Sequence, residues 1–122
     1  MEQVGKISEQ VINLLGLNIP IDTPIFLGQS NIDHMRNSHP AEYSKYGKEI
    51  SDILNFPDYC GVNPKDNSLE FVKEYQIDGE FVKVAVRVSH GGNMFARSLY
   101  ILNNNRTENF ILKGTLKKVK NT

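Results

Sequence analysis

Two of the three histidines, His34 and His39, stand five residues apart with Arg36 between them. Imidazole is the side chain that titrates nearest neutrality, so such a pair can supply one proton acceptor and one proton donor. The spacing sets a geometric condition on that chemistry. Five positions on a straight helix diverge by about 140°, too far to aim both rings at one reacting group. Either Pro40 ends the helix early enough to swing His39 round, or His34, which lies off the Ile32–Met35 stripe, works without it.

Cationic support comes from later in the chain, where Lys83, Arg87, Arg97 and Ser98 fall on neighbouring strands. Arg97 alternates with Phe95, Leu99 and Ile101, so in a regular strand it shares their apolar face. A buried guanidinium needs a partner because an uncompensated buried charge is very costly. That partner is an internal carboxylate, Asp33 or Asp52, or else a phosphate. Ser98 and Tyr100 point the opposite way and join Arg97 only if a bulge intervenes.

Other chemistries have thinner support. His34 and His39 do not share a helix face, Cys60 is the single cysteine, and zinc-ligand spacing is missing, so no metal is expected. Cys60 follows Tyr59 in an expected strand and reads as an inert buried thiol. His90-Gly91-Gly92-Asn93 links two strands as a hairpin turn and is not a phosphate loop.

The chain has 122 residues, 39% apolar and 23% charged, which suits one globular domain spanning 1–122. A connector and N-terminal helix are expected over 1–23 and the main body over 24–119. There is no apolar run of membrane-spanning length, no secretion-signal pattern and no cysteine pair, so the expectation is a cytoplasmic protein without a membrane partner. The zero net charge hides an asymmetry. Residues 1–82 carry six basic and 13 acidic residues, 6 − 13 = −7, and residues 83–122 carry eight and one, 8 − 1 = +7. A basic half on a neutral chain can face a polyanion; the alternatives are mutual attraction between sheet and helices, or lysines placed for solubility.

The elements that must position these groups follow from periodicity. Val4, Ile7, Val11, Leu14 and Leu15 predict a helix over about 3–16. Pro24–Leu27 is a short extended piece, and Ser30-x-x-Asp33 resembles a capping box opening the histidine helix. Pro40 starts a second helix running to about Leu54 through Tyr43, Tyr46, Ile50 and Ile53. The period then changes to two. Tyr59–Val62, Ser68–Tyr75, Phe81–Val88 and Met94–Leu102 read as strands, Asn103–Asn105 as a loop, and Phe110–Leu112 and Gly114–Val119 as closing strands. The expected fold is α+β: N-terminal helices packed on a C-terminal antiparallel sheet of about four to five strands.

Several short runs then fit a known pattern: Asp33-His34-Met35-Arg36-Asn37-Ser38-His39-Pro40, Asn55-Phe56-Pro57-Asp58-Tyr59-Cys60-Gly61, Pro64-Lys65-x-x-Ser68-Leu69-Glu70, Val82–Val86, Phe95–Tyr100 and Gly114–Val119. Over about residues 25–119 the chain resembles the phage- and mobile-element-associated nuclease domains of the Barnase–EndoU–colicin–RelE superfamily. The resemblance implies metal-independent RNA cleavage with no cofactor, in which the ribose 2′-OH attacks the adjacent phosphorus. His34 and His39 are then the acid–base candidates, Arg97 the phosphate clamp and Ser98 a donor to the scissile phosphate. Lys65 and Lys73 are backbone-binding candidates, joined by Arg36, Lys83, Arg87 and Tyr100. The implied partners are RNA, such as tRNA, and an immunity or antitoxin protein for a toxin or phage effector. The alternative is a catalytically inactive nucleic-acid- or protein-binding module of the same fold.

Overall fold

The alternation Val82, Val84, Val86 against Phe81, Lys83, Ala85, Arg87 decides how the central strand sits. Val82, Val84 and Val86 are buried in the main core, while Arg87 is exposed and Lys83 half-buried on the opposite face. A one-residue slip would expose three valines, at roughly 1.5–3 kcal/mol each, and drive two cations inward. The strand is β5 (Glu80–Val88), flanked by β4 (Leu69–Tyr75) and β6 (Met94–Ile101). The structure is a computed structural model and describes residues 1–120, so the last two residues of the expected domain lie outside it.

The remaining elements are β1 (Glu2–Ile7), α1 (Glu9–Leu15), β2 (Thr23–Leu27), α2 (Gln29–Ser38), α3 (Pro40–Tyr46), α4 (Ile50–Asn55), β3 (Tyr59–Val62), α5 (Asn104–Lys113) and β7 (Lys117–Lys118). Among the described residues seven strands form one sheet in the order β1-β2-β6-β5-β4-β3-β7. All neighbours are antiparallel except β2 and β6, which run parallel through Ile25–Met94 and Phe26–Phe95. The α+β class therefore holds. The sheet is larger and mixed, and one helix, α5, lies between its last two strands in the chain.

Three expectations are corrected. The helix over 3–16 is a strand followed by a shorter helix. Val4 is the extra residue where β1 shifts register against β2 between Gln3 and Gly5. The bulge lets Val4 and Ile7 both turn inward, a three-residue spacing that imitates a helix. Ser8 then caps α1 by accepting from the Val11 N–H at 3.2 Å. The long second helix is interrupted by a 3-10 turn at Gly47–Glu49, whose first residue, Gly47, lies so close to Tyr43 that a Cβ would stand 2.9 Å from its ring. Finally, Asn103–Asn105 and Phe110–Leu112 are not loop and strand but the cap and body of α5. Asn103 Oδ1 accepts from the Arg106 N–H at 3.0 Å, and Gly114 ends the helix at φ 80°.

One sheet face meets α1–α4 in a core built around Phe71, Val82, Val84, Leu99, Met35, Ile50 and Ile53. The other face has a small cluster of Val72, Phe81 and Leu116 with Ile111 of α5 packed on it. Beyond that cluster the same face presents Lys83, Ala85 and Arg87.

Candidate active site

The uncovered part of that face is the floor of a cleft of about 370 Å³. Glu70, Lys83, Ala85, Arg87, Arg97, Ser98 and Tyr100 reach it from the sheet. His34, Ser38 and His39 close it from α2 and the α2–α3 junction. Asn63, Asp66 and Ser68 close it from the β3–β4 loop.

His39 enters because the helix stops. It is the last cap of α2 and the first cap of α3, with φ −138° and ψ 65°, and Pro40 follows as the first residue of α3. Leaving helical geometry there removes the divergence that a straight helix imposes. The ring is held on two sides. Its Nδ1 lies 3.1 Å from Glu42 Oε2, and its edge meets the Tyr100 ring with centroids 4.8 Å apart. An Nδ1–H donated to Glu42 leaves Nε2 without a protein partner among the described residues. α3 is itself anchored to the start of β5, where Lys45 Nζ and Tyr46 Oη both donate to Glu80 Oε1 at 2.6 Å. His34 stands exposed on α2, while Met35 beside it is fully buried and fixes that helix on the core.

Arg97 enters because β6 carries a bulge. Ala85 pairs with Ser98 and Val86 with Ala96, so Arg97 is the extra residue. The apolar face expected for it is therefore corrected. Ala96 and Leu99 stay in the core, while Arg97, Ser98 and Tyr100 all line the cleft. No hydrogen bond or ion pair among the described residues engages the guanidinium of Arg97 or of Arg87. Asp33, one expected partner, instead accepts from Gln29 Nε2. Ser98 Oγ donates to Tyr100 Oη at 3.3 Å.

The third cation is tied down. Lys83 Nζ donates to Glu70 Oε2 at 2.7 Å and lies 4.8 Å from the centre of the Tyr100 ring. Glu70 and Lys83 are diagonal neighbours, since Glu70 opposes Ala85 and Lys83 opposes Val72. The loop opposite is stiffened by its own hydrogen bonds. Asn63 Oδ1 accepts from the Lys65 N–H at 2.9 Å, the Asn63 carbonyl accepts from the Asn67 N–H at 2.8 Å, and Asn67 takes φ 60°. Asp66 accepts from the Ser68 N–H at 3.0 Å, which holds its carboxyl below the usual range, with lesser contributions from Arg87 and Lys83.

Of the residues expected from sequence, the cleft thus gathers His34, His39, Lys83, Arg87, Arg97, Ser98 and Tyr100. Lys65 lines an adjoining cavity. Arg36 is outside both, its guanidinium 5.3 Å over the Tyr43 ring. Lys73 points to the other sheet face and donates to the Phe56 carbonyl at 2.7 Å. Ser38, Asn63, Asp66, Ser68, Glu70 and Ala85 were not foreseen as cleft residues. The hairpin register set by Asp78-Gly79 would have placed Glu70 beside Lys83. Among the described residues no three His, Cys, Asp or Glu side chains converge as a metal-ligating set, and no helix is long and apolar enough to cross a membrane.

Imidazoles, free guanidiniums and hydroxyls around a polar cleft on a sheet face are the equipment of a small nuclease. Comparison with known families agrees. Residues 2–109 match the model of the phage-Barnase-EndoU-ColicinE5/D-RelE like nuclease3 family, and the chain belongs to it. The match begins at β1, so the N-terminal segment expected to lie largely outside the resemblance is part of the family domain. Neither the curated proteins nor the solved structures contain a match to the chain.

Proposed function

We propose that this nuclease-family domain is an endoribonuclease that cleaves RNA by attack of the ribose 2′-OH, without a metal ion. The observation that carries the reading is the convergence of both histidines with two unpaired arginines on one cleft. His39 Nε2 takes the 2′-OH proton while Glu42 fixes its ring and tautomer. The 2′-oxygen attacks phosphorus, and the P–O5′ bond breaks as His34 protonates the departing 5′-oxygen. The products are a 2′,3′-cyclic phosphate and a 5′-OH. Arg97 and Arg87 stabilise the phosphorane oxygens, and Ser98 and Tyr100 offer hydroxyl donors. Ala85, with no side chain beyond Cβ, leaves room on the floor for the phosphate. A toxin or phage-effector role, with an immunity partner, fits this chemistry.

The roles are separable by experiment. His34→Ala, His39→Ala and Arg97→Ala are each expected to lower kcat/KM on an oligoribonucleotide by roughly a hundredfold or more. With a nitrophenyl leaving group, which needs no proton, His34→Ala recovers most of its loss and His39→Ala does not. Wild-type rates in both histidine variants would remove the proposed site. RNA that binds to the wild-type chain but is never cut would leave a binding module in its place.

A further inference from the structure

Beside the cleft lies a second cavity of about 600 Å³, roofed by α5. The two share Asn63, Glu70 and Lys83 as a common wall, so they adjoin. Arg106, Phe110 and Lys113 occupy positions i, i+4 and i+7 of α5, one stripe of the helix, and all three line the cavity. Lys65 faces it from the β3–β4 loop, and Leu102 and Leu116 form its apolar back.

A helix that merely covered the sheet would present apolar side chains to it. On α5 that task falls to half-buried Ile111, with Thr107 buried one turn before it and donating its hydroxyl to the Asn103 carbonyl. The neighbouring stripe is cation, aromatic, cation, with Phe110 left 40% exposed. Lys65, Arg106 and Lys113 form no ion pair among the described residues. The single acidic group in the wall, Glu70, is already taken by Lys83. Unpaired cations flanking an open aromatic ring suit a base with its phosphates, since bases of any identity stack and the backbone supplies the charge.

We propose that this cavity is a second nucleotide subsite. It holds a nucleotide flanking the pair joined by the scissile phosphate, its base on Phe110 and its phosphates on Lys65, Arg106 and Lys113. The proposal rests on the nuclease reading of the cleft. It also goes beyond the family match, which ends at residue 109, before Phe110 and Lys113.

The test is fluorescence anisotropy of the full chain with uncleavable 2′-O-methyl oligoribonucleotides of two, four and six nucleotides. For the wild type, affinity rises on going from two to four. In Arg106→Glu/Lys113→Glu, and separately in Phe110→Leu, that increment is lost, a drop of roughly five- to hundredfold for the longer probes, with the dinucleotide unaffected. Arg97→Ala weakens every length. The charge reversals touch exposed side chains, so they report even where Phe110→Leu fails to fold. An unchanged increment in the charge-reversal variant, or an equal loss at all lengths, overturns the subsite and leaves the cleft standing. Failure of the wild type to bind any of the probes overturns both.

Discussion

His39 and Arg97 owe their places to local breaks in regular structure. Pro40 announces the first break, and the need for His39 to leave the helix can be read from its five-residue spacing. The bulge at Arg97 carries no such signal. Nothing in Phe95-Ala96-Arg97-Ser98-Leu99 marks an extra residue, and strict alternation puts Arg97 with Phe95, Leu99 and Ile101. The demand that a buried arginine find a partner was sound; the strand met it by turning the side chain out. Cys60 was legible from its strand context alone. It is fully buried, and burial pushes its thiol up from the ordinary 9.0 to about 11 against a small opposing pull from Lys117. The native chain should therefore resist iodoacetamide at pH 8 and react once unfolded in urea, as mass spectrometry would register. Between pH 9 and 11 the unfolded thiol loses its proton and the folded one keeps it, so this group's contribution to stability falls as pH rises. Rapid labelling of the folded protein would contradict the placement.

Among the elements, strands β3 to β6 and their hairpins were legible because period-two alternation and turn residues agree there. The two ends were not. At the N-terminus a bulged strand imitates helical spacing, although Ser8 ahead of Glu9 is a cap signal that marks where α1 begins. At the C-terminus three asparagines suggest a loop, yet Asn103 as cap and Gly114 as stop frame ten residues of helix. α5 matters to the site because it roofs the adjoining cavity and leads into β7. The return of the chain after α5 is packed tightly on β3. A Cβ at Gly61 would stand 2.7 Å from the Thr115 carbonyl oxygen and 3.2 Å from Leu116 Cδ2. Gly61→Ala should therefore destabilise the fold by about 1–3 kcal/mol in urea denaturation. A variant as stable as the wild type would mean that the α5–β7 segment is not held there.

Across the whole molecule the charge asymmetry seen in sequence becomes a surface. Of the eight basic residues after position 82, Lys83, Arg87 and Arg97 line the cleft and Arg106 and Lys113 the adjoining cavity. The alternative explanation, attraction between sheet and helices, accounts for Lys45 of α3 with Glu80 of β5 but not for Lys83 with Glu70, which pair strand to strand, nor for the unpaired arginines. A family of nucleases, a cleft holding two imidazoles, and a cationic track leading away from it agree on a phosphodiester substrate. The 2′-OH is what separates RNA cleavage from any other use of that cleft. The decisive measurement is the cleavage, in excess chelator, of a DNA oligonucleotide carrying one ribonucleotide, beside its all-deoxy counterpart. The mechanism predicts a cut only 3′ of the ribonucleotide, leaving a 2′,3′-cyclic phosphate and a 5′-OH. Equal cleavage of the all-deoxy strand, or a product ending in 3′-OH and 5′-phosphate, would contradict it.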